Sequence, residues 1–123
     1  MKVIEAINHI DAVKPNAYSQ DVKIKWLSTL DGIIKKEIID THEGGEGVSF
    51  TGYTATSLMT EMLVPAPYDD IYIKWLEAQI DYANGEFKRY NNTKNMYNNA
   101  YLAYAAAYNR EHLPKGPSSF TNF

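Results

Sequence analysis

Three features of this chain have the residue types for chemistry: histidines beside carboxylates, a glycine-rich loop and a row of tyrosines. His42-Glu43-Gly44-Gly45-Glu46 carries the histidine and glutamate of a zinc-protease helix. The second histidine is missing, and two glycines oppose the helix that would present both ligands on one face. Gly45, Gly47 and Gly52 are followed by no Lys-Ser or Lys-Thr and lack a strand–loop–helix context, so they do not cradle phosphate. Asp69 and Asp70 are adjacent and point apart on a helix; they suit capping better than paired acid–base work. His9, His42 and His112 stand far apart, and no Ser, His and Asp are close enough in sequence to suggest a triad. The expectation is a protein that is not an enzyme, with no catalytic residue, no cofactor and no metal.

Tyr97, Tyr101, Tyr104 and Tyr108 recur at helical spacing, with Ala100, Ala103 and Ala107 one position before three of them. Aromatic rows stack the bases of single strands when Arg and Lys line the path. Here the interleaved residues are Asn98, Asn99, Ala100 and Ala103, so core or subunit-interface packing is the better reading.

Elements that would position these residues follow from apolar periodicity. Val3, Ile4, Ala6, Ile7 and Ile10 predict a first helix over 3–13, ended by Lys14-Pro15-Asn16 because proline disfavours helical geometry before it. Ser19 is the expected N-cap of a second helix running to about Asp40, with Asp21 in its first turn and Trp26, Leu27, Leu30, Ile33, Ile34 and Ile38 on its face. Residues 42–47 form a loop. Val48, Phe50, Tyr53 and Thr54 suggest a short extended piece or β-hairpin around Thr51-Gly52, and Ser57 to Val64 fits two helical turns or a buried strand. Pro65 and Pro67 then break the chain.

From Pro67 to Pro114 the pattern reads as an antiparallel helical hairpin. Ile73, Leu76, Ile80, Ala83, Phe87 and Tyr90 form one seam. The joint is placed at Asn91-Asn92-Thr93, Thr93 is read as the next N-cap, and Asn84-Gly85 is a soft point within the third helix. Asp21-Val22-Lys23-Ile24-Lys25-Trp26-Leu27 echoes Asp70-Ile71-Tyr72-Ile73-Lys74-Trp75-Leu76, which similar demands on two core helices explain better than duplication. The fold class is thus all-α: a bundle of about four helices over residues 1–114, an acidic Gly-rich loop and an extended tail over 115–123.

With 123 residues the chain makes one domain, and without cysteine it holds no disulfide or thiolate site. The start of the chain lacks the apolar run of a signal peptide and no stretch approaches a membrane span, so a soluble, cytoplasmically made protein is expected, with no membrane partner. The net charge of −3 hides an asymmetry. Residues 1–85 carry seven Lys against thirteen Asp or Glu, while residues 86–123 carry five Lys or Arg against two Glu. Between Glu37 and Ile73 lie seven acids and no Lys or Arg. This is a solvated acidic face, a surface for another copy's basic end, or one facing something that must not stick. A general nucleic-acid binder would be basic.

The runs Pro67-Tyr68-Asp69-Asp70-Ile71-Tyr72, Trp75-Leu76-Glu77-Ala78-Gln79-Ile80-Asp81 and Tyr90-Asn91-Asn92-Thr93 resemble small proteins encoded in the structural modules of tailed phages and prophages of Firmicutes. Met96-Tyr97-Asn98-Asn99-Ala100-Tyr101 and Tyr108-Asn109-Arg110-Glu111-His112-Leu113-Pro114 continue the likeness. That group is similar to the helical head–tail connector (adaptor, head-completion) proteins. The resemblance implies a structural protein of the virion neck: a homo-oligomer, typically a dodecameric ring, between the portal protein and the stopper or tail-completion proteins. Such a ring extends the channel through which genomic DNA passes without sequence-specific binding. The alternative is a small cytoplasmic, prophage-encoded interaction or regulatory module. Glu43, Glu46, Phe50 and Tyr53 of the loop and Phe120 and Phe123 of the tail are the candidate interface residues. For Phe50 and Tyr53, folding back onto their own domain is the equal alternative.

Overall fold

The computed structural model describes residues 1–115. Four helices carry the fold: α1 (Val3–Val13), α2 (Gln20–Ile34), α3 (Ile71–Ala83) and α4 (Phe87–Glu111). Single 3₁₀ turns at Gly45–Gly47, Ala55–Ser57 and Tyr68–Asp70 punctuate the long connection between α2 and α3. The all-α bundle is as the periodicity predicts. Among the described residues there is no β-strand, only isolated bridges between Lys2 and Glu61 and between His42 and Pro114.

The first three helices bury most of the face their sequence marks, although Ala83 at the end of α3 is exposed. Val3, Ala6, Ile7 and Ile10 of α1 pack with Ile24, Leu27, Leu30 and Ile34 of α2 and with Ile73, Leu76 and Ile80 of α3 in one core. Ser19 Oγ accepts from the Val22 amide at 3.2 Å, the N-cap expected of it. At its far end α2 widens into a π turn, Lys35–Ile39, closed by the Asp40 amide on the Lys35 carbonyl. Thr41 Oγ1 then donates to the carbonyl oxygens of that last turn.

The connection contradicts the β-hairpin expected around Thr51-Gly52. A hairpin pairs its own backbone, whereas here the Tyr53 amide donates to Ser28 Oγ at 2.9 Å on α2. Residues 58–62 are neither helix nor strand because they serve another element. The first amides of α1, Val3 and Ile4, donate to the carbonyls of Thr60 and Leu58 at 3.1 and 2.9 Å. Helix N-termini leave such donors without internal partners, and this segment supplies the acceptors.

The hairpin turn lies elsewhere than the Asn91-Asn92-Thr93 run suggests. Gly85 takes φ +74°, the Gly85 amide donates to Tyr82 O at 3.0 Å and the Glu86 amide to Asp81 O at 2.9 Å. This pair of bonds with a left-handed glycine is a Schellman stop, so α3 ends at Ala83 and α4 starts at Phe87. Thr93 sits inside α4 and caps nothing; its hydroxyl faces Asp81 Oδ2 at 3.0 Å. Ring contacts then fix the register of the hairpin. Tyr82 meets Tyr90, Trp75 meets Tyr97 and Tyr68 meets Tyr104, at 5.2, 4.9 and 6.1 Å between centroids. Successive contacts are seven residues apart on both arms, the step that keeps one seam of two helices facing.

The echo between α2 and α3 gains a physical basis. Leu27 and Leu76 are both fully buried, and Trp75 Nε1 donates to the Trp26 carbonyl at 2.8 Å. Matched positions on two core helices meet each other, which accounts for their similar residues.

Candidate functional site

Asp31, fully buried on α2, is a carboxylate held by hydrogen bonds alone. It accepts from Tyr72 Oη at 2.7 Å, from the Leu63 amide at 3.0 Å and from Tyr53 Oη. Burial pushes the Asp31 carboxyl above its ordinary range, against the pull of these three donors. Burial and the neighbouring Asp31 push both phenols up as well. Three hydrogen bonds satisfy the carboxylate, which nails α2 to α3 and to the connection. Apolar periodicity does not single out Asp31; its only local signal is an acid on the apolar side of a helix.

A second buried carboxylate, Asp81, has the Lys14 ammonium 2.6 Å from Oδ1. That oxygen has no hydrogen bond of good angle, so proximity of charge is its compensation. Lys23, also buried, reaches Asp11 at 2.5 Å. These groups are structural.

His42 is buried and fully engaged. Nδ1 lies 2.6 Å from the Ile38 carbonyl, an acceptor, so Nδ1 carries a proton. Nε2 lies 2.6 Å from the Asn109 side-chain amide, tying the loop to α4. Its ring stands edge-on to Tyr108, which stacks on His112 at 3.8 Å. Among the described residues no group of three or more His, Asp or Glu is placed to hold a metal ion.

The candidate interface residues of the loop occupy different settings. Glu43 is exposed, its amide donating to the Leu113 carbonyl at 2.8 Å. Glu46 is exposed and pairs with Lys115 at 2.9 Å, a hydrogen bond that holds its carboxyl below the usual range. Phe50 and Tyr53 contact each other edge to face at 5.1 Å. The Phe50 ring lies over Gly32, and Tyr53 is bound to Asp31 and Ser28. Phe120 and Phe123 lie outside the described residues. The tyrosine row packs inward: Tyr104 is buried, Tyr97 lies against Trp75, and Tyr101 donates to Glu37 at 2.7 Å. Burial, then Glu37, raises Tyr97 to about 12; burial, then Tyr108, raises Tyr104 to about 12.

Two surface features remain, at opposite ends of α4. At the hairpin tip Tyr82 and Phe87 are each 59% exposed and touch at 5.8 Å, with Tyr90 alongside. Lys88, Arg89 and Lys94 surround this knob, Lys94 lying 5.7 Å over the Tyr90 ring. The apolar period puts Phe87 in the buried seam, but the stop at Gly85 rotates it outward. At the other end a cleft of ≈ 410 Å³ opens between the proline-rich linker and the last turns of α4, walled by Pro65, Pro67, Tyr68, Tyr104 and Tyr108. Glu111 and His112 stand at its polar side.

No protein-family model matches the chain, and neither the curated proteins nor the solved structures give a significant match. No helix among the described residues is long and apolar enough to cross a membrane.

Proposed function

We propose that this chain is a non-catalytic head–tail adaptor of a tailed phage, working by assembly into a ring between portal and stopper or tail-completion proteins. The observation that carries the reading is the outward face of α4. Of its 25 residues only Tyr104 and Ala107 are buried, while Phe87, Met96 and Leu102 lie open to solvent. The tyrosine side of α4 packs on its own chain, with Tyr97, Ala100, Tyr101, Ala105 and Tyr108 partly covered, and the opposite side is left for a partner; exposed aromatic side chains are the usual anchors of interfaces. The particular class of assembly rests on the resemblance, which covers about residues 18–114 and has its quoted runs in the Pro67–Pro114 hairpin.

In this reading the structural work is divided. The α2–α3–α4 bundle is the rigid part, the loop carrying Glu43 and Glu46 faces neighbours, and Phe120 and Phe123 are anchors beyond Lys115. The acidic stretch before α3 either meets another copy's basic side or lines a path on which DNA slides without adhering. The test is size measurement of the purified chain with and without purified portal protein. A ring, alone or on the portal, is expected. A chain that stays monomeric and ignores portal overturns the reading and leaves the regulatory module as its replacement.

A further inference from the structure

We propose that the aromatic knob at the hairpin tip of one copy seats in the tyrosine- and proline-walled cleft of the next, joining copies head to tail. The contact rests on the assembly part of the reading above and on no assumption about which neighbours the assembly meets. The knob offers Tyr82 and Phe87, two exposed rings already in contact with each other. The cleft offers aromatic and proline walls and ≈ 410 Å³, within the ~300–1,000 Å³ of sites that enclose a small apolar group. One has apolar surface left open to solvent, and the other has the shape to cover it.

Charge selects the same pairing. Lys88, Arg89 and Lys94 lie about the knob, with Arg89 paired to Glu86 at 3.2 Å, which leaves a net positive surface. The cleft presents one carboxylate, Glu111, at its polar side. The basic side chains of the knob and the Glu111 carboxylate attract each other, which favours knob against cleft over knob against knob.

Geometry excludes the contact within one copy. From Phe87 to Tyr108 the helix rises roughly 30 Å at about 1.5 Å per residue, so its two ends cannot meet. Between copies the patches differ, which makes the contact heterologous. Each copy keeps a free knob and a free cleft, so the contact repeats until it closes a ring or extends a filament.

The test uses the full chain alone in sedimentation equilibrium, over a concentration series and at two salt concentrations. Wild type is expected to gain mass with concentration, less so at high salt. Phe87→Ala removes the knob and Ala66→Trp fills the cleft, and each is expected to weaken self-association about tenfold or more. An equal mixture of the two variants has one intact knob and one intact cleft, and should form a dimer that grows no further. Circular dichroism checks both folds; if Ala66→Trp unfolds, Glu111→Arg at the exposed rim takes its place. A wild type that stays monomeric at all concentrations, a Phe87→Ala chain that associates as wild type does, or a mixture no better than its components overturns the contact. A monomeric result in the absence of portal leaves the adaptor reading to the portal experiment, so the two failures are distinct.

Discussion

The Tyr72 hydroxyl donates to Asp31 Oδ1 at 2.7 Å while accepting the Val64 amide at 2.8 Å, entirely away from solvent. One phenol thereby joins α3, α2 and the linker. Tyr72→Phe leaves the buried Val64 amide without an acceptor and removes a donor from a buried carboxylate. The expected loss is about 2–3 kcal/mol, read by urea unfolding. A loss under about 0.5 kcal/mol would mean that these bonds are not what fixes the linker.

Asp31 gives the stability a pH dependence of unusual sign. Its folded carboxyl titrates above its unfolded value, so over the interval between them the folded state holds a proton that the unfolded state has released. The Asp31 contribution is therefore fully present below about pH 4 and is lost as pH rises through the folded value. Unfolding free energies of wild type and Asp31→Asn, measured from pH 3 to pH 8, should converge or cross in that direction as pH rises. A difference that is flat with pH would show an unperturbed carboxyl.

Two glycines, one ending a helix and one inside a helix, should respond oppositely to alanine. Gly85 has φ +74°, and a methyl added there would meet nothing within 4 Å, so Gly85→Ala costs about 1–2 kcal/mol of backbone strain alone. In α2 a methyl at Gly32 would meet the Phe50 ring at 3.8 Å, an ordinary contact, so Gly32→Ala stabilises by up to about 1 kcal/mol. Thermal unfolding of the two variants decides both signs at once.

Loop residues should separate into those that hold the fold and those free to make contacts. Tyr53→Phe removes a hydroxyl bound to Asp31 and should cost about 1–2 kcal/mol in the isolated chain. Glu43→Gln changes an exposed side chain and should leave stability within about 0.5 kcal/mol. If instead Glu43→Gln unfolds the chain and Tyr53→Phe is silent, the loop is held by contacts other than the Tyr53–Asp31 bond.

The surface sites are only partly legible in the sequence. Glu43 and Glu46 are exposed, in keeping with a Gly-rich acidic loop. Phe50 and Tyr53 look the same from composition as residues waiting for a partner, yet their rings lie on α2 of their own chain. The cleft has no linear signature at all, since its walls run from Ile39 to His112. Phe87 fits the apolar period of α3 as well as any seam residue, and only the break before it turns it outward.

What the sequence determined is what local chemistry enforces: the span of α1, the start of α2, the Ser19 cap, the stop at Pro15 and the all-α class. Apolar spacing and capping act within a few residues, so they can be read there. The hairpin turn is local as well: a left-handed Gly85, with the Gly85 and Glu86 amides bonded to Tyr82 and Asp81, outweighs the capping preference of Thr93. The tertiary structure decided which side of α4 packs on α3. It also decided the fate of Asp31, whose partners Tyr53, Leu63 and Tyr72 stand 22, 32 and 41 residues away. A buried carboxylate is tolerated only when distant donors converge on it, and that convergence exists only in the folded chain.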